Sequence, residues 1–146
     1  MRRIATFVGL ALISAPAIGS EAGQGLFETN CSGCHQLGGI GSPGLAPPLA
    51  DDALWQGLGD KAPKYFSGIM MSGLSGKIVA KGETYIGLAM PSQAALSDED
   101  LAAIADYVLH DLNGITSLPT VESFAAARGA PPTHPHLKAM RKEALP

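Results

Sequence analysis

Apolar residues fall into short, helix-spaced groups separated by stretches rich in glycine and proline, and extended apolar/polar alternation is almost absent. Residues 23–29 read as a short helix that stops just before Cys31. Asp51-Asp52 lead into another that runs through Leu58. Ala62-Pro63 opens a third, with Pro63 in its first turn, Phe66, Ile69 and Met70 on one face and Gly73 as its stop. The clearest helix comes next, where Leu101, Ile104, Ala105, Val108 and Leu112 recur at helical spacing. Ser97 caps it, Asp100 completes a Ser-x-x-acid box, Asp98 and Glu99 suit its positive end, and Asn113-Gly114 closes it. Residues 77–80 fit a brief strand at most, and 82–96 read as irregular. The predicted fold class is therefore all-α.

Both ends of the chain differ from this middle. Met1-Arg2-Arg3 is a short basic start, followed by an apolar run from Ile4 to Ile13, a break at Pro16, and small residues at Ala15, Ala17, Gly19, Ser20 and Ala22. That is the order of a secretory signal peptide, residues 1–22, with cleavage after 17, 19 or 22. The run falls short of the ~20 residues that span a bilayer, so no integral membrane span is expected after cleavage. Residues 115–146 carry 5 of the 11 prolines and a net charge of +2. They read as a loosely packed, weakly basic tail with one short helix near 121–128, dispensable for folding.

Composition narrows the picture. The chain has 146 residues, enough for one ordinary domain, and only 8 of them are aromatic against 18 Gly and 11 Pro. So few large side chains leave the centre short of filling material. Residues 21–114 hold 4 Lys and 11 Asp+Glu, a net charge of −7, which disfavours nucleic acid as a partner. This charge serves either docking to basic partners or simple solvation.

The candidate chemistry sits at Cys31-Ser32-Gly33-Cys34-His35. Two thiols three residues apart can bond the two vinyl groups of one haem, and the next residue supplies an imidazole to the iron. A thioredoxin-like pair would need a βαβ context, and a structural zinc site would need two more ligands; neither is present in the sequence. Covalent haem c attachment through Cys31 and Cys34, with His35 as one axial ligand, is the expectation. Candidates for the other axial position are Met70, Met71, Met90, Met140, His110, His134 and His136. Met70 and Met71 lie in a packing helix, His110 on the terminal helix, and Met140, His134 and His136 in the tail. Met90, in an irregular stretch immediately before Pro91, is the preferred ligand, with an open or switchable position as the alternative. Leu45, Leu49, Leu54, Trp55, Phe66, Ile69, Met70, Tyr85 and Leu88 are candidate walls for the haem, and Trp55 reads either as core packing or as a donor to a haem propionate.

With these residues the chain resembles the class I c-type cytochromes, small exported monohaem proteins. The resemblance rests on Cys31 to His35, on Tyr85-x-Gly87-x-x-Met90-Pro91, and on Leu96-Ser97-Asp98 leading into the helix of Tyr107. It covers residues 23–114 and implies the cytochrome c fold, a close crossing of two helices through Gly23, Phe27, Ile104 and Tyr107, and a Pro47 carbonyl that accepts the second N–H of His35. It also implies a one-electron carrier of the bacterial periplasm rather than an enzyme, with redox-protein partners such as a dehydrogenase donor and an oxidase or cytochrome acceptor. The alternatives are a cytochrome subunit of a periplasmic dehydrogenase complex and, more distantly, a haem enzyme or sensor with a displaceable Met90.

Overall fold

The computed structural model describes residues 18–145, so most of the predicted signal segment lies outside the described residues. Helix α1 (Ile18–Asn30) leads almost without interruption into α2 (Ser32–His35), and a kink at Cys31 separates them. Helices α3 (Asp52–Leu58) and α4 (Ala62–Ser72) follow, then a hairpin of β1 (Ile78–Ala80) and β2 (Glu83–Tyr85). Helix α5 (Asp98–Ala105) continues as a π-helical turn over Asp106–Asp111, and α6 (Val121–Gly129) and α7 (His134–Ala144) complete the chain.

Helix α1 runs further in both directions than its apolar pattern predicts. At its C-terminal end the Thr29 hydroxyl and the Asn30 amide donate back to Gly25 O (2.9 Å) and Leu26 O (2.8 Å). The expected brief strand exists, but it needs a partner that the pattern concealed. Antiparallel pairing of Ile78 with Tyr85 and Ala80 with Glu83 is closed by Lys81 and Gly82, both at positive φ, as a two-residue hairpin turn requires.

Helix α1 crosses α5 closely. A Cβ on Gly23 would overlap the Ala103 carbonyl oxygen, and Phe27 packs on Tyr107 with ring centroids 5.2 Å apart. The cap is as expected, with the Asp100 N–H donating to Ser97 Oγ at 3.1 Å. The helix end is not a plain stop. Leu112 N–H donates to Tyr107 O (3.0 Å), five residues back, which leaves Val108 O to accept from Asn113 Nδ2 (2.6 Å). The buried Asn113 also donates to Leu49 O and accepts from the Asp51 N–H, each at 2.9 Å.

The expectation of a loosely packed tail is overturned. Phe124 and Leu137 are fully buried, and Met140, Arg141 and Ala144 nearly so. Helix α6 packs on α4 and α5, and α7 on α3 and α4. Phe124 meets Phe66 edge-on at 6.4 Å, a Cβ on Gly57 would overlap Ala144 O, and Gly68 makes room for Pro132 and Leu137. Leu137, Met140, Arg141 and Ala144 share one helical face, spacing that the prolines around them masked.

Candidate functional site

The near-helical path from Phe27 to His35 places Cys34 and His35 three and four positions after Cys31, so all three side chains reach one surface. That surface belongs to a cavity of about 250 Å³ lined by Cys31, Cys34, His35, Met70 and Met90, with walls from Leu54, Trp55, Phe66 and Ile69. All nine side chains predicted as haem walls line it. Leu45 and Leu88, 41% and 54% exposed, form its rim.

His35 is buried, and its Nδ1 donates to Pro47 O at 2.8 Å. This bond leaves Nε2 as the nitrogen available to a metal and fixes the ring plane. Burial holds the imidazole below the usual histidine range, against the opposing pull of the Pro47 hydrogen bond, so the neutral form that ligation needs is favoured. For Cys31, burial and then the neighbouring Cys34 push the thiol up to about 11. Cys31 and Cys34 are not joined to each other in a disulfide.

Met90 is held by the end of α4. Leu74 and Met90 exchange backbone hydrogen bonds of 3.0 and 2.9 Å, and a Cβ on Gly73 (φ 67°) would overlap the Met90 carbonyl oxygen. Ser92 Oγ donates to Met71 O (2.6 Å) and Gln93 N–H to Met70 O (2.7 Å), fastening the chain just beyond Pro91. The cavity thus has two methionines, Met90 on this strapped segment and Met70 on α4. Among the other candidates, Met71 and Met140 are buried away from the cavity, and His110 is exposed beside Asp106 and Asp111. His136 is exposed on α7. His134 donates through Nε2 to Ser72 O (3.0 Å) and accepts from Ser75 Oγ at Nδ1 (2.7 Å), so it staples α7 to the end of α4.

The cytochrome c family model matches residues 20–111. A cytochrome c-552 of Thermus thermophilus is 33% identical over 70% of this chain and 68% of its own length. A second Thermus thermophilus cytochrome c-552 is 38% identical over 53% of this chain and 59% of its own. The cbb3-type cytochrome c oxidase subunit FixP of Bradyrhizobium diazoefficiens is 30% identical over 77% of this chain, which spans only 36% of that subunit. The chain belongs to the cytochrome c family. It carries covalently attached haem c and is a monohaem electron-transfer protein with the all-α cytochrome fold. No helix of the described residues is long and apolar enough to cross a membrane.

The site fits that cofactor. An apolar cavity with two thiols at one border, an imidazole with one nitrogen engaged and the other available, and thioether sulfur in its lining is a donor set suited to haem c. Trp55 resolves one open reading, since its indole N–H donates to Leu49 O at 2.7 Å and the ring is buried in the core. Sequence reasoning missed Tyr65 and Arg141, both in the cavity lining. The four-residue spacing from Leu137 to Arg141 on an amphipathic helix was the available signal for the second.

Proposed function

We propose that Cys31 and Cys34 bind the haem as thioethers, that His35 and Met90 are its axial ligands, and that the protein shuttles single electrons between redox proteins in the bacterial periplasm. The supporting observation is His35, oriented by Pro47 at 2.8 Å and lining the same cavity as a Met90 that is held in place by Leu74. The haem supplies reversible ferrous–ferric chemistry. This chain's part is to fix the two ligands, exclude water with apolar walls and leave no open coordination position. Thioether ligation favours the reduced state and raises the potential. Residues 1–22, read as a signal peptide, support export. FixP is by name an oxidase subunit, which favours a second reading as the cytochrome component of an oxidoreductase complex, and co-purification separates that from a free carrier.

The test uses mature protein from a haem-attaching host. Intact mass should equal the cleaved chain plus one haem, and both should stay joined in acidic organic solvent. Met90→Ala should keep the haem but lose the sulfur–iron charge-transfer band, lower the potential and let the reduced protein bind carbon monoxide. Persistence of the band in Met90→Ala with its loss in Met70→Ala would make Met70 the ligand instead.

A further inference from the structure

We propose that Arg141 and the Tyr65 hydroxyl anchor a propionate carboxylate of the haem, so that the last helix, which lies beyond the residues matching the family, is part of the cofactor site. The inference rests on the haem reading above. Helix α7 delivers Arg141, a residue only 7% exposed, to the cavity lining, and α4 delivers Tyr65, 1% exposed, to the same lining.

Buried polar groups are nearly always paired, yet three here are not. Arg141 Nε, Tyr65 Oη and Asp51 Oδ2 have no hydrogen-bond partner among the described residues. They belong to one locus, because the guanidinium lies beside both the phenol and the Asp51 carboxylate. Arg141 Nη2 donates to Val79 O at 3.2 Å, while its approach to Asp51 Oδ2, 3.8 Å, is too long for a hydrogen bond. Two donors thus have protons to give and face an apolar cavity. What satisfies both is an anion with more than one acceptor oxygen, and a carboxylate matches the planar fork of arginine. Haem brings such carboxylates with it, and burying one unpaired would be costly.

The facing charges fit one added anion only with Arg141 in place. Asp51 at the start of α3 contributes a carboxylate beside the guanidinium, Lys81 in the hairpin turn spends its ammonium on Ala50 O at 2.6 Å, and Arg141 is the guanidinium in the cavity lining. Burial raises the Tyr65 phenol despite the neighbouring guanidinium, so it remains a neutral donor.

The experiment compares wild type, Arg141→Gln, Tyr65→Phe, Asp51→Asn and Asp51→Asn/Arg141→Gln, each first checked by intact mass for one attached haem. Reduction potentials are read by spectroelectrochemistry and stability by urea unfolding of the holoprotein. Arg141→Gln should shift the reduced-to-oxidised ratio at fixed potential about tenfold toward the oxidised form, about 59 mV for one electron. The same direction should persist relative to Asp51→Asn alone. Tyr65→Phe should shift it less in the same sense and lower the urea midpoint. Removing a hydroxyl that has no partner would instead be neutral or stabilising. An unchanged potential in Arg141→Gln, a shift that disappears in the Asp51→Asn background, or a neutral Tyr65→Phe overturns the proposal. If Arg141→Gln does not fold, Tyr65→Phe decides alone. Haem-free wild type would instead overturn the ligation reading on which the proposal rests.

Discussion

Residues 20–111 and residues 112–145 of this chain are built on different principles. In the first, the residues proposed to hold the haem announce themselves through local sequence: Cys31, Cys34 and His35 within about one helical turn, and Met90 directly before Pro91. In the second no motif occurs, and two short helices are tied to the rest by apolar side chains entering sockets on α3 and α4. Those sockets lie in the first region. Gly57 allows the approach of Ala144 as Gly23 allows that of Ala103, so the family-matched part carries the imprint of the last two helices. A segment outside a family match can therefore be as much a part of the core as the segment inside it.

Removing the second region altogether should break this equivalence most visibly. Truncation after Gly114 uncovers the faces that Phe124, Leu137, Met140 and Ala144 cover, and each large side chain is worth about 1.5–3 kcal/mol of burial. Against a typical total stability of roughly 5–15 kcal/mol, the shortened holoprotein should melt far below the full chain or fail to fold cooperatively. Circular dichroism melting of the haem-loaded proteins measures this. A truncated protein that melts within a few degrees of the full chain would restore the reading of these residues as a dispensable tail.

Single core positions offer a sharper test. Phe27→Ala in the first region and Phe124→Ala in the second remove fully buried rings that pack against Tyr107 and Phe66 respectively. Each should cost about 3–5 kcal/mol in urea unfolding. Similar losses would show one cooperative core, whereas a much smaller loss for Phe124→Ala would mean that α6 unfolds separately.

The same contrast explains what the sequence made legible. Local signals were readable because their physics is local: Ser97 as a cap, Pro63 and Gly73 as the bounds of α4, and the Cys31–His35 spacing. Wall residues from Leu45 to Leu88 were legible because a chain poor in aromatics had to spend its large side chains around something. Long-range partners were not. The pairing of β1 with β2 depends on a turn formed by Lys81 and Gly82, and the π-turn depends on Asn113 finding Leu49 and Asp51 some sixty residues away. Proline content hid α7, although Pro135 sits in its first turn, where proline is tolerated. Tyr65 and Arg141 gain meaning only when three elements meet.

A smaller effect probes the sockets. Gly57→Ala should destabilise the protein by about 1–3 kcal/mol, because the added methyl meets the Ala144 backbone, which cannot swing aside as a side chain would. Gly25→Ala, with nothing within 4 Å of the new methyl, should be neutral or gain up to about 1 kcal/mol of helix propensity. If both substitutions behave alike in urea unfolding, α7 does not press on α3 at Gly57.

The smallest expected effect concerns the charged contact between the two regions. Lys61 Nζ and Glu143 Oε2 meet at 3.0 Å, but both side chains are about 60% exposed, 60% and 64% respectively. Water screens such a pair, and ordering two long side chains offsets much of the attraction. A double-mutant cycle of Lys61→Ala and Glu143→Ala should therefore give a coupling of about 0.5 kcal/mol or less, and salt should reduce it further. This small number carries information about how the regions are joined. If apolar burial holds α7 in place, losing the pair leaves the melting temperature almost unchanged while Phe124→Ala lowers it strongly. A coupling above about 1 kcal/mol would mean that the contact is shielded from water and that surface charge, as well as core packing, holds the last helix against α3.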